Sequence, residues 1–398
     1  MATPGPMTLA RDGRLLFLTR FVRLFSYGML SVVLVFYLTS VGLTERQTGL
    51  LLTLTLAGDT VISLALTTQA DRIGRRRMLI AGAILMAGAG AAFAFTHNFL
   101  LLIAAGTIGV ISPSGNEVGP FLPIEQAALA EVVPSGARTT IFAWYALTGA
   151  LAAAGGSLMA GLLAPRAVVL GYAVMGLALA LIFAAVSPAI EIRRDEKPAP
   201  GLGNLAGIGQ SRPVILKLCG LFALDAFGGG FVVQSFAAYW FYLRFGVPPA
   251  MLGTIFFGAN VLAGFSALAA TRLASRIGLV RTMVFTHLPS NILLILVPLM
   301  PNLQLAIAVL LLRFSISQMD VPTRQSYLMA VVAPAERSAA AGITGVARTT
   351  GAAIAPFFAG LLFAQPELIG VPFFIAGSLK IVYDVLLYRA FVGREPGE

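Results

Sequence analysis

Charge is scarce in this chain, and several kinds of site chemistry have nothing to be built from. Of 398 residues only 11% are Asp, Glu, Lys or Arg. A single cysteine, Cys219, excludes an internal disulfide. Two histidines, His97 and His287, leave a Cys/His metal site without ligands, so neither metal nor cofactor is expected. No Gly-x-x-x-x-Gly-Lys-Ser/Thr loop occurs, and Gly201-Leu202-Gly203 stands alone in a polar stretch, which excludes ATP-driven chemistry within the chain. Nor is there a pair of aspartates suited to intramembrane proteolysis. Tyr383-Asp384 would need a Gly-x-Gly-Asp partner, and Leu56-Ala57-Gly58-Asp59 lacks the first glycine. An enzyme is not expected.

What is abundant is apolar surface. Hydrophobic residues make up 58% of the chain and the mean hydropathy is +0.88, too much to hide in a water-soluble core. The bilayer must serve as solvent. Runs of roughly 18 to 25 apolar residues recur, each long enough to cross about 30 Å of hydrocarbon as a helix that satisfies its own backbone. They predict twelve spans, near 15–39, 46–69, 78–96, 99–132, 139–163, 166–187, 213–243, 250–274, 280–300, 303–332, 338–363 and 368–391. The first run follows a polar Met1–Arg14 stretch and has no small-residue cleavage site, so it reads as a span and not as a signal peptide.

A net charge of +10 could suggest nucleic acid, but the basic residues sort by loop. With alternating spans, 17 Lys or Arg fall on the side of the termini, three on the other (Arg46, Arg166, Arg244) and seven inside spans. The positive-inside rule then puts both termini in the cytoplasm.

The longest polar connection predicts a linker at 188–212 between six-span halves at 1–187 and 213–398. The halves repeat. Ala70-Asp71-Arg72-Ile73-Gly74 lies over Ala274-Ser275-Arg276-Ile277-Gly278, and Asn98 over Asn302, at an offset of 204. Further on, Gln126, Leu129, Arg138 and Gly161-Leu162-Leu163 match Gln325, Leu328, Arg337 and Gly360-Leu361-Leu362 at an offset of 199. Five extra residues therefore lie in span 4. The stretch 112–123, with Pro113, Pro120, Pro123, Gly115 and Gly119, predicts a break there, since proline removes backbone donors. Parallel six-span halves place a solute site between them near the midplane.

With the halves in place, Ala70-Asp71-Arg72-Ile73-Gly74-Arg75-Arg76-Arg77 resembles the loop 2–3 signature of the major facilitator superfamily, over essentially the whole chain. Thr67 replaces the first glycine of that signature, and Ser275 replaces the aspartate of its second copy. The resemblance implies an all-α fold of two pseudo-symmetric six-helix bundles. It also implies a conformational latch formed by Asp71, Arg72, Gly74, Arg75 and Arg76, with Arg138 and Arg337 in the corresponding turns, and cavity-lining spans 1, 4, 7 and 10. Arg75 to Arg77 are expected to stay in the cytoplasm. The span 4 arginine of proton-coupled members and the Gly-Pro motif of antiporters are not found.

Ionisable residues at bilayer depth cost a few kcal/mol each on insertion scales and mark interior cavities. The candidates for a substrate or proton pathway are Arg20, Arg23, Asp59, Glu117, Glu125, Asp225, Arg313, Asp320, Arg324 and Arg348. Asp59 lies twelve residues before Asp71, about 18 Å of helix, and reads as a proton carrier. Asp225 is expected within about 5 Å of Arg20, Arg23 or Arg324, a generous ion-pair distance. Lys380 and Asp384, four apart on span 12, are expected to neutralise each other. Lys217 is expected to reach toward the surface. Tyr27, Trp144, Tyr145 and Tyr239 could line a cavity, and Trp240 reads as an interface anchor.

The expectation is a secondary transporter working by alternating access, proton-coupled, with export slightly favoured over uptake. A lipid flippase or a non-transporting receptor on the same fold is the alternative. The expected partners are a small-molecule substrate, protons and the lipid of an inner (plasma) membrane, with no nucleic acid. A monomer is expected.

Overall fold

The computed structural model describes residues 11–134, 138–191, 211–333 and 336–393. Most of the expected linker lies outside the described residues, as do the side chains of Asp71 and Arg138. Among the described residues the chain forms helices and no strand. The first half contains α1 (Arg11–Ser40), α2 (Glu45–Ile73), α3 (Arg75–Phe95), α4 (Phe99–Ile108), α5 (Phe121–Val132), α6 (Arg138–Ala160) and α7 (Pro165–Ala185). The second contains α8 (Arg212–Gly230), α9 (Gln234–Phe245), α10 (Pro249–Ile277), α11 (Leu279–Leu296), α12 (Leu303–Phe314), α13 (Asp320–Val331), α14 (Arg337–Phe363) and α15 (Val371–Phe391). Among the described residues, ten helical stretches are long and apolar enough to cross a bilayer, with α8 and α9 forming one of them. The short apolar helices α4 and α12 complete two more crossings by continuing across a break into α5 and α13.

The repeat in the sequence is a repeat in local structure. Asn98 caps α4 by accepting from the amides of Leu100 and Leu101, and Asn302 caps α12 by accepting from Leu305. Gly42 and Gly246 both take positive φ (97° and 66°), as do Gly74 and Gly278 (121° and 87°), which explains glycine at each of these matched turns.

The expected break in span 4 is present but lies three residues earlier, running from 109 to 120 between α4 and α5, so that Pro123 falls in the first turn of α5. The corresponding gap between α12 and α13 is 315–319, and with α4 (10 residues) shorter than α12 (12 residues) the whole of the excess sits in non-helical chain. A buried backbone needs partners for its polar groups. Tyr172 donates to the carbonyl of Val110 (2.6 Å), the Ser235 hydroxyl and amide to that of Pro113 (2.6 and 3.1 Å), and Tyr27 to that of Val118 (3.3 Å).

Spans 7 and 10 correct the expectation of continuous helices. Between α8 and α9 the chain leaves the helix at 231–233, after Gly228-Gly229-Gly230, and the freed amide of Ser235 meets Pro113 from the other half. Between α12 and α13, the amide of Gln318 donates to Ser266 (3.3 Å).

The halves join at the end away from the termini. There α2 packs on α14 and α6 on α10 with almost no side chain between them. A Cβ on Gly360 would stand 2.5 Å from the carbonyl oxygen of Glu45, and one on Gly253 2.7 Å from that of Ser157. The amide of Phe357 donates to Thr53 (2.8 Å), and Tyr239 donates to Glu45 (2.8 Å). Trp240, expected at the lipid interface, is instead 1% exposed and packed among Phe241, Phe245 and Phe373. Its side chain faces the packed interior of the second half and not the lipid.

Candidate functional site

A cavity of about 550 Å³ lies between the halves, a volume suited to a small organic molecule. Spans 1, 4, 7 and 10 contribute to its wall as expected, and so do α2, α6, α10, α11, α14 and α15. Arg20, Asp59, Glu117, Asp225, Arg313, Asp320, Arg324 and Arg348 line it. Arg23 and Glu125 stand behind the wall, fully buried.

In the first half, α1 presents Arg20 and Arg23 one turn apart to the acids of span 4. Arg23 donates to Glu125 at 2.7 Å and to Glu117 at 3.0 Å, and Arg20 pairs with Glu117. Glu125 is further satisfied by Thr19 (2.8 Å) and by the hydroxyl of Tyr145. Each buried charge thus has several donors or acceptors, which membrane depth requires. Asp59 has a different environment. It accepts the amide of Gly119 at 2.7 Å and the hydroxyl of Ser63 at 3.4 Å, and no cation reaches it among the described residues.

In the second half the roles of acid and base are exchanged between the same spans. Asp225 on α8 accepts from Arg324 on α13 at 3.1 Å, as expected, and Arg324 also holds Asp320 at 3.2 Å. Lys380 corrects the expected helix-internal pair, because it reaches Asp225 at 2.6 Å and leaves Asp384 to other partners. Asp384 instead accepts from His287 Nδ1 (2.8 Å) and Asn291 (2.9 Å), while His287 Nε2 faces Asp225 at 3.7 Å. Cross-helix pairing wins here since α15 packs on both α8 and α11, whose polar groups have no water to turn to.

His287, Lys380, Gln234 and Asn260 are site residues that the sequence reading missed. In the sequence His287 reads only as a metal ligand, whereas the polar pair His287 and Asn291, four apart in an apolar span, is the signal for a buried site there. Gln234 donates to Ser31 (2.8 Å), and Asn260 donates to Ser157 (3.1 Å), so a neutral polar layer links the halves on the closed side of the cavity. The tyrosines and Trp144 proposed for the cavity lie elsewhere. Tyr27 stacks on Tyr172 behind it, Tyr239 sits at the junction of the halves, and Trp144 is 60% exposed outside the lining. Phe256 and Phe314 are the aromatic rings that line it.

At the loop 2–3 signature, Arg75 is buried and not in open solvent. Its guanidinium donates to Glu131 (3.3 Å) and to the carbonyl of Ile190 (3.0 Å). Gly74 leaves α3 without a side-chain cap, and the Glu191 carboxylate takes that place by accepting the amides of Arg75 (2.7 Å) and Arg76 (3.2 Å). Arg72 and Arg337 are exposed. Lys217 is also exposed, as expected near the start of span 7.

Two helical bundles around a charged central cavity have the architecture of a membrane transporter. The Major Facilitator Superfamily model matches residues 16–356, and the chain belongs to that family. It is 32% identical over 427 residues to the "Uncharacterized membrane protein YJR124C" of Saccharomyces cerevisiae, covering 96% of this chain and 95% of that protein. Over 129 residues, 32% of each chain, it is 30% identical to the "Quinolone resistance protein NorA" of Staphylococcus aureus. The crystal structure of the nucleoside transporter NupG superposes with a TM-score of 0.78 at 13% identity, covering 96% of this chain and 99% of that one.

Proposed function

We propose that this secondary transporter moves a small solute by proton-coupled alternating access, with the halves at 1–187 and 213–398 rocking about a site between them and 188–212 as linker. The observation that carries the reading is the asymmetry of carboxylates at the cavity. Most are tied to arginine or lysine, but Asp59 faces the cavity held only by neutral donors. A carboxylate of that kind can change protonation without breaking an ion pair. Beside Asp225, the His287–Asp384 pair supplies a second group able to pass a proton, since histidine is the side chain that titrates nearest neutral pH.

The loop basic residues support cytoplasmic termini in a plasma membrane. In that orientation the junction of α2 with α14 closes the outer side. The contacts of Arg75 and Arg76 support the latch role for Asp71, Arg72, Gly74, Arg75, Arg76, Arg138 and Arg337. The partial similarity to a protein named for quinolone resistance supports export over uptake. The chain carries the cavity and its lining by itself, in keeping with a monomer.

The test is flux in proteoliposomes. Substrate movement should follow an imposed pH gradient, and Asp59→Asn should uncouple it. Flux indifferent to the gradient in the parent protein would replace proton coupling with facilitated diffusion.

A further inference from the structure

The second-half wall of the cavity holds more cations than its acids can satisfy. Arg313, Arg324, Arg348 and Lys380 line it against Asp225 and Asp320. Arg324 spans both carboxylates and Lys380 takes the other oxygen of Asp225, so each acid already holds a cation in direct contact. Asp384 lies behind the wall and is held by His287 and Asn291. Arg313 and Arg348 are left. Each has a buried Nε without a partner, and neither makes a hydrogen bond or ion pair among the described residues. Arg313 has only the ring of Phe314 beside it, with its guanidinium carbon 5.0 Å from the ring centre.

A guanidinium at membrane depth that no carboxylate touches, with only the charges of Asp225 and Asp320 at a distance, is expensive unless something supplies a direct partner. Its planar fork of donors matches an oxyanion such as carboxylate or phosphate, and it is the side chain best suited to that pairing in a dry site. The remainder of the wall offers Phe256, Leu294, Leu310 and Phe314 to an apolar body. We propose that Arg313 and Arg348 are the recognition residues for the acidic head of a water-soluble organic anion whose body lies against these apolar side chains. This rests on the transporter reading above and adds the class of solute. Gln234 and Asn260, amides on the opposite side, would contact neutral polar groups of the same molecule.

The chain in phosphatidylcholine nanodiscs is heated with 2-naphthoate or hexyl phosphate, and with 2-naphthamide and 2-naphthylmethylammonium as uncharged and cationic counterparts. The two anions should raise the unfolding midpoint and the counterparts should not. Arg313→Gln and Arg348→Gln should weaken the half-saturating naphthoate concentration at least tenfold, Arg313→Lys and Arg348→Lys less, and Arg77→Gln not at all. Because neither guanidinium has a partner, the Gln variants without ligand should unfold no earlier than the parent. A midpoint several degrees lower would reveal a structural role and overturn the assignment. Equal shifts with the amide or ammonium, or unaltered naphthoate affinity in the Gln variants, would also overturn it. So would displacement of naphthoate by phosphatidate placed in the nanodisc, which would make the occupant a lipid. Counterflow of labelled 2-naphthoate separates the two readings. Binding without flux would leave the site standing and sink the transporter reading, whereas flux of the ammonium alone would do the reverse.

Discussion

Glu125 and Arg324 occupy equivalent positions in the two halves, carry opposite charge, and each pairs with a residue of opposite sign on the first span of its own half. Arg23 meets Glu125 at 2.7 Å and Asp225 meets Arg324 at 3.1 Å. Both bonds stay within one half. The halves can therefore rock without separating a buried charge from its partner, an event that would cost several kcal/mol. Contacts that cross between halves include neutral hydrogen bonds such as Gln234 with Ser31 and Phe357 with Thr53. One to a carboxylate, Tyr239 with Glu45, lies at the rim of the junction and strands no buried ion pair. Neutral hydrogen bonds of about 1 kcal/mol each can be exchanged for water within a transport cycle.

Asp225→Asn should be among the most destabilising single changes in the cavity, because Lys380 then loses its carboxylate partner while Asp384 stays engaged by His287 and Asn291. Removing one partner of a buried pair costs about 3–5 kcal/mol. Adding Lys380→Met should recover much of the lost thermal stability, while adding Asp384→Asn should not. If adding Lys380→Met lowered stability further instead of restoring it, Lys380 would be paired along its own helix after all. Thermal unfolding of the four proteins in one detergent decides the matter.

Much of this site was legible because charges in an apolar chain are few and the repeat gave each one a depth. The matched offsets put Asp225 level with Arg20 and Glu125 level with Arg324, and the pairing followed from the cost of leaving either alone. The Lys380–Asp384 spacing misled since a helix brings such residues near each other, but tertiary packing of α15 on α8 and α11 offered each a better partner. The breaks in spans 7 and 10 were not legible for a related reason. Ser235 reaches Pro113, a contact 122 residues apart that no local pattern announces. Span 4 could be read because its break carries prolines and an insertion visible against the other half.

Asp59→Asn should fold as the parent does, since the amide oxygen can still accept from Gly119, and it should lose coupling to a pH gradient. Asp59→Ala removes that acceptor from a buried amide, so it should lose coupling and also about 1–3 kcal/mol of stability. Equal stability of the Asn and Ala variants would mean that the Gly119 contact does not hold the span 4 loop.

Glu191→Gln should loosen the start of α3. The carboxylate serves as the missing cap of that helix, and its negative charge sits at the positive end of the helix dipole. Loss of a cap costs about 0.5–2 kcal/mol, and Glu191→Ala should approach the upper figure. Amide hydrogen exchange at Arg75 to Met78 is the measurement, with faster exchange expected in both variants. Unchanged exchange would show that the cap is redundant with the Arg75 contacts.

The junction of α2 with α14 is where the closed end must part if the protein alternates, and glycine sets how closely these helices can approach. A Cβ on Gly49 would lie 2.6 Å from the carbonyl oxygen of Pro356 and 2.9 Å from the Cα of Gly360, both backbone atoms that cannot rotate away. Gly49→Ala therefore should not be absorbed by a side-chain adjustment. It should push the helices apart and shift the population toward the state open at this end. Phe357 and Thr53 lie one turn further in, so their 2.8 Å hydrogen bond should weaken at the same time. Ser31, buried on α1 and held across the halves by Gln234, gives a reporter of opening at this end. With Cys219 replaced by serine, Ser31→Cys should react slowly with a membrane-impermeant thiol reagent added from the side opposite the termini. Adding Gly49→Ala should raise that rate several-fold. Gly88→Ala, where a Cβ meets open space, should leave it unchanged. If Gly49→Ala left the rate as it was, the α2–α14 contact would be a fixed seam and the moving closure would have to be sought at α6 and α10.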